Sequence, residues 1–235
     1  MIEARAETLI QKFNEYSKLR KTNDYLDIGA GNLANALAFA RNLKPRKTGA
    51  VDLALPSVKH MSINFVRADA RALPFRDQVF DLVTMISLIE HVQDWTLCIS
   101  EALRVLNLEG ELFMQFPNRY FPIELHSGIF CYFYLPKKLR EWWAYRRDLS
   151  WVQEIDVPSP RTVIKTLCKT ALCGEYMLKG FAYPEKVLSA RRLRLVHRIL
   201  QYLSFFHVFP MGYLAVVHRK QMPETVQEKV LQWTV

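Results

Sequence analysis

The sequence predicts an α/β fold, a mostly parallel sheet with helices on both faces, and three features predict it. Short apolar runs alternate with helical stretches through the first half of the chain. The first run closes on Gly29-Ala30-Gly31 and passes into helix-forming Leu33-Ala34-Asn35-Ala36-Leu37-Ala38-Phe39-Ala40, which reads as strand, tight turn and helix. The run Phe80-Asp81-Leu82-Val83-Thr84-Met85-Ile86 is nearly continuous in apolar residues, as a central strand buried on both faces should be.

Taken in order, residues 1–20 place Leu9, Ile10, Phe13, Tyr16 and Leu19 at helical steps. Tyr25 to Ile28 is the first strand. The second is Thr48 to Val51, ending at Asp52, and the third runs from Asn64 to Ala68, leading to Asp69. Phe80 to Ile86 is the fourth. Trp95 to Leu106 is a helix whose Leu97, Ala102, Leu103 and Leu106 should face inward. Gly110 then reads as a turn before the fifth strand, Glu111 to Phe116. Residues 119–160 are rich in aromatics and proline and read as a lid or acceptor-side insertion over the open end of the sheet. The sheet resumes in 161–220 with a helix near Arg161–Ala171, a strand near Glu175–Phe181, a basic helix near 186–203 and a last strand, Tyr213 to Val217. Ile199 to Val217 lacks Lys, Arg, Asp and Glu, but Gln201, His207, Pro210 and Gly212 interrupt it. A helix, a turn and a buried strand explain it better than a bilayer span.

Length and composition agree with this order. The chain has 235 residues, 50% hydrophobic and 23% charged, which suits one large α/β domain over 1–235, with 22–118 as its cofactor-binding core. The 8 Gly and 11 Pro exclude a collagenous or low-complexity chain. Met1 to Lys21 has no apolar stretch before a small-residue cleavage site, so no secretory leader is expected. Cys98, Cys131, Cys168 and Cys173 form no CxxC pair, and the expectation is reduced, mostly buried thiols and no metal. The net charge of +9 is concentrated at Lys137, Lys138, Arg140, Arg146 and Arg147, then at Arg191, Arg192, Arg194 and Arg198. Such an excess serves a nucleic acid, an anionic membrane or plain solvation of helix faces, and charge alone does not choose.

Gly29-Ala30-Gly31-Asn32-Leu33-Ala34 fits the G-x-G-x-x-G/A turn of dinucleotide sites, with Asp52 about 20 residues on, where such sites keep a ribose-binding acid. Asp27 argues for a different ligand. A carboxylate beside the turn repels a pyrophosphate, whereas S-adenosylmethionine carries an ammonium and a sulfonium there. Asp52 can accept from both ribose hydroxyls, and Asp69 from an adenine amino group with the Ala70 backbone beside it. Each acid alone also makes sense as a helix cap. Three at the carboxyl ends of three successive strands fall where open α/β sheets bind ligands.

Together, Leu26-Asp27-Ile28-Gly29-Ala30-Gly31, Val51-Asp52, Ala68-Asp69-Ala70, Leu73-Pro74-Phe75, Phe80-Asp81-Leu82-Val83, Ile89-Glu90-His91-Val92 and Arg104-Val105-Leu106-Asn107-Leu108-Glu109-Gly110 resemble the class I S-adenosylmethionine-dependent methyltransferases, of the small-molecule type, over roughly residues 20–118. The resemblance implies a Rossmann-like sheet of seven strands with the last antiparallel. It implies S-adenosyl-L-methionine as cofactor, held by Asp27, Gly29, Ala30, Gly31, Asp52, Leu53, Asp69, Ala70, Ser87 and Leu88. Two departures stand out: Leu33 where the family often has glycine, and Leu108-Glu109 where it has Pro-Gly. The first is expected to tighten the methionine end of the site. Both also admit an alternative, a degenerate cofactor-binding scaffold that regulates a partner protein.

The cofactor brings its own electrophile, so the protein mainly aligns the acceptor and excludes water, and the shared motifs leave the acceptor open. His91 is a candidate base, with a packing role as the plainer reading. In Pro117 to His126, Asn118, Tyr120, Glu124 and His126 either position an acceptor or brace a loop, and Glu124 and His126 are the first choices. The aromatics Phe130, Tyr132, Phe133, Tyr134, Trp142, Trp143, Tyr145 and Trp151, interleaved with basic residues at 137–147, suggest a small or amphiphilic, lipid-like acceptor if they do not simply pack a core. No RNA-binding module or Asn-Pro-Pro-Tyr motif favours nucleic acid. The expectation is a cytoplasmic protein, with peripheral membrane contact left open.

Overall fold

A computed structural model describes residues 2–57, 60–122, 132–146, 155–170, 174–183, 198–199, 201–202 and 210–219. Its elements are α1 (Ile2–Tyr16), β1 (Asp24–Ile28), α2 (Ala34–Leu43), β2 (Lys47–Asp52), β3 (Asn64–Arg67), β4 (Phe80–Ile86), α3 (Trp95–Val105), β5 (Leu106–Pro117), α4 (Lys137–Arg146), α5 (Pro160–Lys169), β6 (Glu175–Phe181) and β7 (Gly212–His218), with short 3-10 turns at Ile89–His91 and Tyr132–Tyr134. Among the described residues seven strands form one sheet in the order β3-β2-β1-β4-β5-β7-β6. β7 is antiparallel to both of its neighbours, and the pairs from β3 to β5 are parallel. This is the Rossmann-like, mostly parallel seven-stranded architecture that the sequence predicts.

The period of two decides which residue serves which face. Leu26 and Ile28 of β1, Val83 and Met85 of β4, Leu112 and Met114 of β5, and Ala215 and Val217 of β7 meet α3 and α5 through Ile99, Ala102, Leu103, Val163 and Leu167. The alternate residues Tyr25, Leu82, Phe113, Leu214 and Val216 share the opposite face with Leu9 and Phe13 of α1 and Phe39 of α2. There the Phe13 ring meets Phe39 and Phe113 edge-on at 5.6 and 5.5 Å, a favoured aromatic geometry. α5 begins at Ser159, whose hydroxyl accepts the Thr162 amide at 3.1 Å, with Pro160 at the first helical position, a strong start signal.

Three expectations change. Leu33 does not open α2: it sits before it at φ 66°, with its buried side chain among Ala30, Ala36, Ala50 and Ile63. On α3, Leu97 is half exposed; the inward stripe is Cys98, Ile99, Ala102, Leu103 and Val105, because the helix turns one residue further than an even spacing from Leu97 assumes. Gly110 is no turn, since β5 starts at Leu106 directly after α3. Phe80 pairs with Leu106 and Leu82 with Glu111, so the intervening residues bulge, with Glu109 at φ 65°. A Cβ on Gly110 would lie 2.9 Å from the Asp81 carbonyl oxygen, which is why glycine stands there.

Glu109 and Leu33 occupy left-handed backbone, and an L side chain there costs about 1–2 kcal/mol. Glu109 is exposed and its contact with His218 Nε2 is long, at 3.5 Å, so little packing offsets that cost. Glu109→Gly should therefore raise stability by about 1 kcal/mol in urea unfolding. A fall would show that the Glu109 side chain holds the bulge.

Candidate cofactor and acceptor site

The turn after β1 is built by backbone hydrogen bonds to the strand beside it. The amides of Gly29 and Ala30 both donate to the Val51 carbonyl oxygen, at 2.8 and 3.0 Å. Gly29 has φ 75°, and a Cβ on it would lie 2.7 Å from Leu88 Cδ1, so glycine is required for conformation and for space. The Gly31 amide donates to Asp52 Oδ2 at 2.8 Å and the Ala54 amide to Oδ1 at 3.0 Å. Asp52 is thus fixed at the end of β2 with acceptor capacity to spare.

Asp69, past the end of β3, is held from one side. Arg71 reaches it through Nε at 3.1 Å and Nη2 at 2.7 Å, and its own amide donates at 2.9 Å. These bonds hold the carboxyl below its usual range. The segment that follows is anchored by Arg104 of α3. Its guanidinium donates to the Leu73 and Phe75 carbonyls at 3.0 and 2.8 Å, and to Asp77 and Glu101. The Leu73-Pro74-Phe75 motif is therefore a strap whose polar backbone is satisfied by the helix beneath it.

A cleft of about 700 Å³ runs along this edge, lined by Gly29, Val51, Asp52, Leu53, Ala68, Asp69, Ala70, Arg71, Ser87, Leu88, His91, Val92 and Gln93. The structure so brings together Gly29, Asp52, Leu53, Asp69, Ala70, Ser87, Leu88 and His91. Ser87 closes β4 at φ 51°, a strained conformation for serine and of the kind found at functional edges. Ala30 and Gly31 belong to the turn behind the lining. Glu124 and His126 lie outside the described residues. Asn118 is buried and donates to the Pro210 carbonyl at 2.8 Å while accepting the Tyr120 amide at 3.0 Å, which makes it a loop brace. Among the described residues no group of three His, Cys, Asp or Glu side chains gathers as a metal site would.

Asp27 takes a position that its sequence context does not reveal. It points to the α1 and α2 face of the sheet and is 1% exposed, below the cleft floor. Thr84, its register partner on β4, donates to Oδ1 at 2.6 Å and accepts from the Tyr25 hydroxyl, 2.9 Å away. Oδ2 has no hydrogen-bond partner among the described residues, although the Ala36 amide at the start of α2 favours ionisation slightly. Burial dominates and raises the Asp27 pKa to about 7. Its charge is therefore partial at neutral pH, and it repels a pyrophosphate less than a full carboxylate would. An orphaned, buried carboxyl oxygen under the turn fits a cationic ligand group above it.

One family match and three similar folds bear on the site. Residues 26–114 match the methyltransferase-domain family. The fold is similar to that of a putative methyltransferase solved in complex with the Haloferax volcanii Trm112 methyltransferase activator (TM-score 0.61, 13% identity, covering 94% of this chain and 92% of that one). It is also similar to an S-adenosylmethionine-dependent methyltransferase from Mesorhizobium loti (TM-score 0.61, 15% identity, 92% and 98%). A third similar fold is Haemonchus contortus phosphoethanolamine N-methyltransferase 2 in complex with S-adenosyl-L-methionine (TM-score 0.60, 12% identity, 92% and 53%).

The raised pKa of Asp27 has a definite sign. Its carboxyl binds a proton more tightly folded than unfolded, so stability falls as pH rises from about 4 to about 7 and is level above that. Asp27→Asn removes this slope. In ligand-free protein the variant should gain on the wild type by up to about 4 kcal/mol across that window. Urea unfolding at several pH values checks this, and parallel curves would mean that Asp27 is ionised in the fold.

Proposed function

We propose that the chain is a class I S-adenosylmethionine-dependent methyltransferase, that methyl transfer occurs at the cleft beside the Gly29 turn and that the acceptor is a small or amphiphilic molecule. The observation that carries this reading is the placement of two acceptors, Asp52 and Asp69, at the ends of β2 and β3 on one rim. Asp52 is set to accept from ribose hydroxyls, and Asp69 from an adenine amino group with the Ala70 backbone beside it. The turn Gly29-Ala30-Gly31, with Asp27 beneath, receives the methionine end. Leu53, Ser87 and Leu88 line the remaining wall.

When bound, the cofactor supplies a methyl group on a positively charged sulfur. The residues of the chain align the acceptor with it and keep water out. His91, exposed on the Ile89–His91 turn at the cleft rim, is the group proposed to take a proton where the acceptor atom carries one. Glu124 and His126 remain proposals for the same side of the cleft. Leu33 and Glu109 give the degenerate-scaffold alternative no support, since each keeps the left-handed backbone that glycine would.

The 119–160 segment is proposed as the acceptor-side insertion. Within it, Tyr132 is buried against Phe133 and Trp143, whereas Leu139, Trp142 and Tyr145 of α4 are exposed beside Lys138, Arg140 and Arg146. This mixture suits an amphiphile or peripheral contact with an anionic membrane; no described helix is long and apolar enough to cross one. A second occupant of such a surface is a protein, since one similar fold was solved with an activator.

Asp52→Ala should weaken binding of S-adenosylmethionine and S-adenosylhomocysteine by about 1.5–3 kcal/mol in calorimetric titration, the worth of hydrogen bonds to a charged group. Unchanged affinity would take Asp52 out of the site, and absence of wild-type binding would reject the cleft.

A further inference from the structure

α1 carries a charge that the cofactor reading leaves unused. Arg5, Leu9 and Phe13 stand above one another at four-residue steps, and Leu9 and Phe13 are buried in the sheet face. Helical geometry therefore turns Arg5 the same way. Its Nη2 donates to Ser87 Oγ and, at 3.0 Å, to Gln115 Oε1, and its Nε donates to the Tyr183 hydroxyl at 3.1 Å. The guanidinium carbon also lies 5.5 Å from the centre of the Tyr183 ring. These contacts come from the ends of three strands: Ser87 just after β4, Gln115 near the end of β5, and Tyr183 just after β6.

Every one of those partners is neutral. Burial holds the Tyr183 phenol protonated, Gln115 is an amide and Ser87 a hydroxyl. No carboxylate among the described residues forms an ion pair with Arg5, including Glu90, which acts on Tyr183 electrostatically. A guanidinium cannot shed its proton in a protein. Fixed in place and half buried, with neutral hydrogen-bond partners among the described residues, it has charge left to pair with an anion, and its planar fork suits a carboxylate or a phosphate.

The topology says which ligand brings that anion. Gly29, Asp52 and Asp69 follow β1, β2 and β3, on one side of the sheet's switch point. Arg5 reaches β4, β5 and β6, on the other side, and touches the cleft through Ser87. Resting on the methyltransferase reading, we infer that Arg5, with Gln115 and Tyr183, forms an anion subsite that seats a carboxylate or phosphate group of the methyl acceptor. Arg5 is thus a specificity residue, and neutral analogues of the acceptor lose its contact.

The test uses full-length protein carrying arginine labelled with nitrogen-15 and saturated with S-adenosylhomocysteine, titrated with inorganic phosphate and, separately, with acetate. One arginine Nε–H resonance should shift saturably and be absent from Arg5→Gln. Arg5→Lys keeps the charge without the fork and should bind the anion about threefold to tenfold more weakly. Tyr183→Phe, which preserves the ring, should weaken it about threefold by losing one hydrogen bond. Preference for phosphate supports a phosphomonoester acceptor, and preference for acetate a carboxylic acid. A titration without a saturable shift in either ion, or an identical one in Arg5→Gln, overturns the subsite. So does a tenfold loss of S-adenosylhomocysteine affinity in Arg5→Gln, which would give the guanidinium to the cofactor. Wild-type protein that binds no S-adenosylhomocysteine would instead overturn the methyltransferase site and the subsite with it.

Discussion

The Val51 carbonyl oxygen accepts two amides from the neighbouring turn, and the geometry of the cleft depends on that shared bond. It draws Gly29 and Ala30 to the end of β2, which brings the Gly31 amide onto Asp52. The same closeness leaves Leu88 no room for a side chain on Gly29. The ends of β1 and β2 are thereby locked into one wall by backbone groups, whose positions are set by the sheet and not by rotamers. A side chain at Gly29 would have to adopt φ 75° and displace Leu88 together, so conformation and packing act on the same residue.

The acids of this edge do different work because they are solvated differently. Asp52 and Asp69 are half exposed and accept hydrogen bonds from amides or from Arg71. Asp27 lies inside β1, deep under α2, where desolvation outweighs the single hydroxyl that Thr84 offers. Its register partner on β2 is Ala50, two residues before Asp52, so the pleat turns Asp27 and Asp52 to the same side and depth along the strand separates them.

Much of the sheet was legible because buried strands alternate or run apolar, and β4 and β6 fall at the residues that the pattern assigns. The acids at the ends of β2 and β3 were legible for the same reason. What sequence reading missed is where backbone or packing overrides side-chain type. Leu33 and Glu109 take left-handed conformations that nothing in leucine or glutamate announces. Gly110 follows a helix in the sequence as a turn glycine does, while its actual reason is the nearness of the Asp81 carbonyl. Arg5 passed unnoticed because its meaning comes from residues 82 to 178 positions away. A signal was present all the same: it continues the Leu9 and Phe13 stripe, where a charged residue is out of place unless something at that end requires it.

That misplacement divides the edge electrically. Acids gather over β1, β2 and β3, and a guanidinium with neutral companions stands over β4, β5 and β6. Such a field attracts ions of opposite sign to its two halves. A ligand positive at one end and a ligand negative at the other are then each drawn to a different half of the same opening. Ser87, at the end of β4, belongs to both halves: it lines the cleft and accepts from Arg5. Its strained backbone is held by the hydrogen bond from its amide to the Gln115 carbonyl, so the point where the two ligands would meet is fixed by the pair of strands that carries two of the guanidinium's partners, Ser87 and Gln115. In the proposed function, recognition of the acceptor and placement of the cofactor both depend on one strand pairing, β4 against β5.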